Sequence, residues 1–188
     1  SASLLNKYLK DKGILKGKGQ AFIDAGLTYG VNEVYLLSHA LLETGNGKST
    51  LANGVRVGKN KKGNLVLVNS NNKNSLTDIK TVYNMYGIGA YDGCPLDCGA
   101  KRAYQEEWTT PEKAIIHGAA FIGNKYIKAG QNTLYKMRWN PQAMVELGKA
   151  HHQYATDVGW AAKQVTNMYN LYREIGITNY FLDIPVYK

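Results

Sequence analysis

An amphipathic helix that stops abruptly at glycine is the feature of this sequence that most constrains its fold. Residues that would form one face of this helix recur at intervals of three and four positions: Val34, Leu37, Ser38, Leu41 and Leu42. We call this face the apolar stripe. This spacing predicts a helix from Asn32 to Thr44 with one face against a core. Gly45 and Gly47 then supply the backbone freedom that ends a helix. The sequence therefore predicts a core-facing helix that ends where the glycines let the backbone change direction.

Glu43 lies in the last turn of this predicted helix, beside the apolar stripe. The negative end of the helix dipole and partial burial next to Leu42 both disfavour the carboxylate anion. A carboxyl group that keeps its proton near neutral pH is suited to act as a general acid. The alternative is a solvated glutamate at a helix end, and its position alone does not decide between the two. His39, one turn earlier, either orients Glu43 or simply packs.

Three segments of the chain resemble glycoside hydrolase family 73, the endo-β-N-acetylglucosaminidases. Residues 38–52, SHALLETGNGKSTLA, are similar to the catalytic-glutamate motif of that family. Residues 84–92, NMYGIGAYD, resemble its asparagine-aromatic-glycine-isoleucine segment. Residues 154–157, YATD, followed by Trp160, Ala161 and Lys163, resemble its tyrosine-alanine-threonine-aspartate segment. The resemblance covers most of the chain and extends to the glucosaminidase domains of the bifunctional autolysins of Gram-positive cocci.

This resemblance implies a fold, an activity and roles for particular residues. The fold would be lysozyme-like and α+β, mainly α, with a helical body and a small β-hairpin lobe flanking the cleft. The activity would be that of a peptidoglycan hydrolase, an autolysin that cleaves the β-1,4 bond between N-acetylglucosamine and N-acetylmuramic acid in cell-wall turnover and daughter-cell separation. Glu43 would be the general acid, Tyr154 a catalytic residue near it, and Asn84 a substrate contact.

Two other functions compatible with this resemblance stay open. A lytic transglycosylase shares the lysozyme-like fold and a single glutamate but releases an anhydro sugar. A non-catalytic wall-binding module would bind the same polymer without cleaving it. Substitution of Glu43 by glutamine separates these functions, because only the enzymes would lose turnover.

A second acidic residue is expected because most glycosidases use two carboxylates. Asp78 follows the predicted β lobe, roughly where related enzymes place this residue, although it could also cap the turn before Ile79. Asp92 competes for the role from within the second segment, unless it hydrogen-bonds its own loop. An acetamido-bearing sugar can also supply its own carbonyl oxygen as the nucleophile. In that case Glu43 and a tyrosine would suffice.

Aromatic residues supply the remaining substrate-binding candidates, and the chain has 14 tyrosines. An aromatic ring can stack on a sugar while its polar tip donates a hydrogen bond. We expect substrate contacts from Tyr83, Tyr86, Tyr91 and Trp139, together with Asn84 and Asp92. For each aromatic residue the alternative is a place in the core.

The rest of the chain is predicted to be mainly helical. Helices are expected at Leu4–Lys10, Gly19–Leu27, Ala100–Trp108, from Pro111 to about Lys128, and from a cap at Asp157 to Ile175. Two β-rich runs, Val55–Val57 and Leu65–Val68, flank a basic turn and predict a hairpin. With no repeat and no long linker, we expect one catalytic domain over residues 1–188, with its β lobe at approximately 54–78.

The charge of the chain predicts an anionic partner. It has 23 Lys and Arg against 14 Asp and Glu, which gives a net charge of +9. The lysines are dispersed and no nucleic-acid-binding module is recognisable, so nucleic acid is not expected. Peptidoglycan glycan strands and the anionic teichoic acids of a cell wall fit the resemblance, and we expect the chain to act as a monomer. The charge could also merely keep the surface soluble.

The cysteines and the lack of a recognisable targeting segment bear on where in or outside the cell this protein acts. Cys94 and Cys98 are the only cysteines, and in an exported protein they could close a small disulfide ring, the alternative being two free thiols. No metal site and no cofactor are expected, since structural zinc requires four ligands. No apolar run approaches a membrane span and the first residues lack a signal-peptide pattern. The resemblance implies a secreted, cell-wall-associated protein, and in that case we expect this chain to be processed from a longer precursor.

Overall fold

The computed structural model describes residues 1–186 and is built mainly from helices. Its α-helices are α1 (Ala2–Tyr8), α2 (Gly19–Tyr29), α3 (Glu33–Glu43), α4 (Thr50–Asn53), α5 (Pro95–Gln105), α6 (Pro111–Ile122), α7 (Leu134–Trp139), α8 (Pro141–Leu147) and α9 (Trp160–Glu174). A 3₁₀ turn at Gly13–Leu15 follows α1, and a π turn at Gly123–Ile127 continues α6. Within residues 1–186 no helix combines the length and the apolar character that crossing a bilayer requires.

A small antiparallel sheet forms the β lobe. Its strands are β1 (Val55–Lys59), β2 (Leu65–Leu67) and β3 (Thr77–Val82), in the order β2-β1-β3. The predicted hairpin corresponds to β1 and β2, and together with the helical body it confirms the expected α+β fold class. Strand β3 was not predicted from the sequence, because the polar stretch before it resembles a loop, so the lobe extends to Val82 instead of ending near residue 78.

Helix α3 lies at the centre of the helical body. The side chain of Asn32 caps its first turn by accepting a hydrogen bond from the backbone N–H of Tyr35 at 2.9 Å. Every residue from Val34 to Leu41 is buried, because α2 packs on one side of the helix and α9 on another. Ser38 and His39 are therefore as buried as the apolar stripe, and α3 approaches solvent at its two ends, at Glu33 and at Glu43.

The N-terminal segment supports the loop that follows α3. The carbonyl of Gly47 accepts a hydrogen bond from the N–H of Ile14 at 3.1 Å. Gly47 has a φ of +77°, and a Cβ there would lie 2.1 Å from the carbonyl oxygen of Lys12. The Thr44 hydroxyl closes the loop from inside by accepting the N–H of Gly47 at 2.8 Å. The backbone after Glu43 is thus held between the end of its own helix and the N-terminal segment.

Several element boundaries differ from the predictions for local reasons. Helix α5 begins at Pro95, five residues before the predicted start, because proline suits a first turn. Helix α6 passes into a π turn after Ile122. Asp157 does not cap α9 directly: its side chain accepts the N–H of Gly159 at 2.9 Å, and the helix begins at Trp160. The sequence analysis did not predict the short helices α4, α7 and α8.

Candidate active site

An open cavity of about 570 Å³ lies at the C-terminal end of α3, where three segments converge. Glu43 enters it from α3, residues 86–92 form one wall, and residues 154–157 with the start of α9 form another wall. Arg102, Phe121 and Tyr126 complete the lining. All three segments that resemble the known family therefore meet in one cavity.

Glu43 lies against the backbone of the 86–92 wall. About a third of its side-chain surface, 32%, is exposed. Gly87 has a φ of +65°, and an ideal Cβ at this residue would lie 2.7 Å from Oε2 of Glu43. Only a residue without a side chain therefore leaves the carboxylate in this position. The second oxygen, Oε1, lies 3.5 Å from Nε2 of His39.

Aromatic rings surround His39, which lies one helical turn before Glu43. His39 is fully buried, and its ring centre lies between 5.4 and 5.9 Å from four aromatic ring centres, those of Tyr35, Tyr86, Tyr154 and Trp160. These rings come from α3, the 86–92 wall, the 154–157 wall and α9. The cluster therefore joins the elements that build the cavity.

Tyr154 lies in the cavity wall as the sequence predicts for a residue near the glutamate. Its ring is buried, and its hydroxyl lies 3.3 Å from Nε2 of His39. Its backbone N–H donates to the carbonyl of Met137 at 2.8 Å, and the next residue, Ala155, takes a left-handed φ of +59°. Burial, with a smaller contribution from the nearby Glu43 charge, raises the pKa of Tyr154 well above its usual value. Its hydroxyl therefore keeps its proton.

Tyr86, Tyr91 and Asp92 also line the cavity, in different ways. Tyr86 is buried, and its hydroxyl donates to the carbonyl of Ile115 at 3.1 Å, so only its ring faces the cavity. Burial raises the pKa of Tyr86. Tyr91 is 68% exposed, and Asp92 beside it is also exposed. Tyr91 and Asp92 thus form the rim, and Tyr86 forms the inner wall.

Asn84, which is predicted to contact the substrate, lies behind the cavity wall and binds the backbone there. Its side-chain amide donates to the carbonyls of Ile88 and Gly99 at 2.8 and 3.3 Å. Its oxygen accepts the N–H groups of Tyr86 and Ile88, each at 3.3 Å. The side chain is 2% exposed and is fully used in holding the 86–88 backbone. Asn84 therefore shapes the cavity from behind.

Asp78 is not among the residues that line the cavity. It lies on β3 at a φ of +48°, where its carboxylate accepts hydrogen bonds from Lys59 at 2.8 Å and from the hydroxyl of Tyr104 at 2.6 Å. These partners, first Lys59 and then Tyr104, lower the pKa of Asp78. Its contacts fasten the β lobe to α5, and the structure does not bring it together with the other candidates.

Tyr83 and Trp139 are likewise absent from the cavity lining. The ring of Tyr83 packs over Gly54 at the base of the β lobe, with 3.1 Å between its nearest carbon and an ideal Cβ at that glycine. Trp139 lies under the guanidinium of Arg138, 4.2 Å from its ring centre. Both aromatic residues are half-buried, and neither lines this cavity.

The cysteines form a disulfide. Cys94 and Cys98 are bonded to each other at the start of α5. The bond closes the short segment that follows Tyr91 and Asp92, so it restrains the rim at its far end. Among residues 1–186 no group of three or more His, Cys, Asp or Glu side chains is arranged to hold a metal ion.

Several cavity residues were outside the site predicted from the sequence. Arg102, Phe121 and Tyr126 come from α5, α6 and the π turn, and nothing in their local sequence marks them as functional. Asp157 and Lys163 belong to the third resembling segment but had no assigned role. Their carboxylate and ammonium groups are 2.6 Å apart, which lowers the pKa of Asp157. The resemblance of their segment was the one signal that could have identified these two residues.

Comparison with known proteins identifies similar chains over the whole length. The family model described as mannosyl-glycoprotein endo-beta-N-acetylglucosaminidase matches residues 19–173. A bifunctional autolysin of Staphylococcus aureus (strain NCTC 8325 / PS 47) is 51% identical over 191 residues, which is 100% of this chain and 14% of the relative. The chain thus spans 14% of the length of such curated relatives.

Solved crystal structures of autolysins also match this chain over most or all of its length. The crystal structure of S. aureus autolysin E matches with a TM-score of 0.76 and 41% identity, covering 100% of this chain and 72% of that one. A catalytic mutant of autolysin E in complex with the disaccharide NAG-NAM matches with a TM-score of 0.71 and 42% identity, covering 94% and 68%. A major bifunctional autolysin matches with a TM-score of 0.68 and 46% identity, covering 100% and 68%. These matches confirm the expected lysozyme-like fold.

Proposed function

The chain belongs to the glucosaminidase family, and from that premise we propose that it is a peptidoglycan hydrolase with Glu43 as its general acid. It cleaves the β-1,4 bond between N-acetylglucosamine and N-acetylmuramic acid. The observation that carries this proposal is the position of Glu43 at the meeting point of the three segments that line the cavity. The complexes of autolysin E with NAG-NAM and with a muropeptide support the substrate class.

The surroundings of Glu43 suit proton delivery to a glycosidic oxygen. Its carboxyl group is partly exposed to the cavity, so a bound glycan can reach it, while Gly87 and His39 lie against its two oxygens. When the bond between the sugars breaks, Glu43 gives its proton to the leaving oxygen and becomes a carboxylate. The neutral hydroxyl of Tyr154 in the 154–157 wall can then donate a hydrogen bond to the substrate.

The second catalytic role falls to the substrate. Of the other carboxylates in the cavity lining, Asp157 is bound to Lys163 and to the N–H of Gly159, and Asp92 lies on the exposed rim. Asp78 lies outside the lining. An acetamido oxygen on the sugar that is being cleaved can attack its own anomeric carbon, as in other glycosidases that use substrate assistance. We therefore assign the nucleophile to the acetamido group of N-acetylglucosamine.

The cellular setting follows from charge and from the relatives. The exposed hairpin tip with Lys61 and Lys62 extends from the β lobe, and the chain carries a net charge of +9. Anionic teichoic acids are a fitting wall partner for such a surface. We propose that residues 1–188 act as one monomeric catalytic domain, secreted to the cell wall and processed from a longer precursor. Its role there is wall turnover and separation of daughter cells.

The test is product analysis of purified cell walls digested by the wild type and by Glu43→Gln. Products are reduced with borohydride and their terminal sugars identified by mass spectrometry. We expect reduced N-acetylglucosamine ends from the wild type and none from the variant. Glu33→Gln is the matched control, because Glu33 is an exposed glutamate at the other end of the same helix, α3, and is not among the residues that line the cavity. This control should retain activity.

Each of the other outcomes of this experiment would assign the protein a different function or mechanism. Anhydro-muramic ends from the wild type would overturn hydrolysis in favour of a lytic transglycosylase. Wall binding without products from either protein would overturn catalysis in favour of a binding module. Unchanged products from Glu43→Gln would overturn the role of the glutamate.

A further inference from the structure

His39 is a fully buried imidazole to which the proposed reaction assigns no task. Its Nδ1 lies 3.2 Å from the hydroxyl of Tyr35, one helical turn earlier. Its Nε2 lies 3.3 Å from the hydroxyl of Tyr154 and 3.5 Å from Oε1 of Glu43. The ring therefore connects a buried tyrosine on one side with two residues of the cavity on the other.

The packing around His39 restricts its ring to one orientation. Tyr35 and Tyr86 are tilted against it, while Tyr154 and Trp160 meet it edge to face. No part of the ring is exposed. A ring rotation that exchanged the positions of its nitrogens would have to displace at least one of these buried side chains. Nε2 therefore stays on the side of Glu43.

The partners of the two nitrogens determine which one carries the proton. Once Glu43 has given up its proton, its carboxylate only accepts hydrogen bonds, so the nitrogen that faces it interacts favourably with it when protonated. A tyrosine hydroxyl both donates and accepts, so Tyr35 can donate to an unprotonated Nδ1. Burial raises the pKa of Tyr35 well above its usual value, so this hydroxyl keeps the proton that it donates. The hydrogen bond on one nitrogen sets the tautomer on the other.

We propose that His39 is a positioning residue, which Tyr35 holds as the tautomer whose Nε2–H points to Glu43 and Tyr154. The inference rests on the proposed function and deepens it. When Glu43 has given its proton to the leaving oxygen, the Nε2–H stabilises the carboxylate that remains. The same Nε2–H occupies a lone pair of the Tyr154 oxygen, which leaves the hydroxyl proton of Tyr154 to point away from His39.

The decisive experiment reads the tautomer directly. Long-range proton–nitrogen correlation NMR of the ¹⁵N-histidine-labelled chain distinguishes protonated from unprotonated ring nitrogens, and His39→Gln assigns the signal among the four histidines. We expect Nε2 protonated and Nδ1 unprotonated, with the Nδ1 resonance moved in Tyr35→Phe. A proton on Nδ1, alone or in an imidazolium, would overturn the proposal. This result does not depend on activity, so it stands apart from any failure of the proposed function.

Kinetics test whether the tautomer matters to the reaction. Tyr35→Phe removes one hydroxyl and keeps the ring, so we expect kcat to fall roughly tenfold with little change in KM. His39→Gln retains an amide donor and should keep more activity than His39→Phe. Tyr29→Phe, in α2, is the matched control for loss of a tyrosine hydroxyl away from the cavity lining and should leave kcat unchanged. If Tyr35→Phe retains full kcat while wild-type cleavage is intact, the positioning role is overturned.

Discussion

The Oε2 atom of Glu43 lies 2.7 Å from the point where a Cβ on Gly87 would stand. This close approach depends on two local conformations, the last turn of α3 and the left-handed backbone at Gly87. It links the first two resembling segments in space, although 44 positions separate the two residues in the sequence. The absence of a side chain at Gly87 therefore leaves the space that the Glu43 carboxylate occupies.

Gly87→Ala should therefore displace the Glu43 carboxylate. We expect kcat to fall by about 10²-fold, because a misplaced catalytic group loses its alignment with the bond being broken. The left-handed backbone also costs about 1 to 2 kcal/mol of unfolding free energy for a non-glycine residue. Gly89→Ala is the matched control: its φ is +76°, but its Cβ would meet the Arg102 side chain. Urea unfolding and turnover of cell walls separate the two effects, and equal kcat losses would contradict the prediction.

Tyr154→Phe should lower kcat while leaving the protein folded. The change removes the hydroxyl near His39 and Glu43 and keeps the buried ring. Loss of a donor that serves the transition state typically costs about 10²-fold in kcat. Tyr126→Phe is the comparison, because the ring of Tyr126 also lines the cavity and stacks on His152 at 4.5 Å. An equal loss in both variants, measured on the same walls, would argue against a special role for Tyr154.

Asp78→Asn should change stability but not catalysis. Lys59 and Tyr104 lower the pKa of Asp78 in the folded protein, so its carboxylate stabilises the fold above its unfolded pKa of about 4. That stabilisation is lost as the pH falls through the lowered pKa. In urea unfolding the difference between wild type and variant should be largest near neutral pH and should vanish in acid. A large fall in kcat would instead restore Asp78 as a catalytic residue.

At alkaline pH, the buried tyrosines should ionise later in the folded chain than in the unfolded chain. Burial raises the pKa values of Tyr35, Tyr86 and Tyr154, whereas unfolded tyrosines ionise near pH 10. The stabilisation from these groups is complete below about pH 10 and is lost as the pH rises above it, because the unfolded state then releases protons that the folded state retains. In the near ultraviolet, the native chain should show fewer ionised tyrosines at about pH 11 than the chain in urea. Equal titration curves would contradict the buried cluster.

The elements that local periodicity defines could be predicted from the sequence. Helix α3 occurs within one residue of its predicted limits, because its apolar spacing and its glycine stop are both local signals. Strand β3 was missed because its residues are mostly exposed or half-buried and show no alternation. The short helices α7 and α8 follow a threonine cap and a proline, but each is too short for a periodic pattern.

The candidate site was predictable only where a motif marks it. Glu43, Tyr86, Tyr91, Asp92 and Tyr154 line one cavity because their segments converge there. Asn84 belongs to the same motif, yet its side chain binds backbone, and a sequence does not show which way a side chain points. Arg102 and Phe121 could not be predicted because tertiary packing alone brings them to the cavity wall.

The N-terminal segment ahead of α2 is a place where a change outside the cavity could affect the site. It precedes residue 19, where the match to the family model begins, yet Lys12, Gly13 and Ile14 contact the loop behind Glu43. A protease that cut near Gly17 would spare every cavity residue and yet break the covalent connection between α2 and the segment that supports this loop. A single cleavage could thus weaken the site at a distance from the cavity and without blocking it.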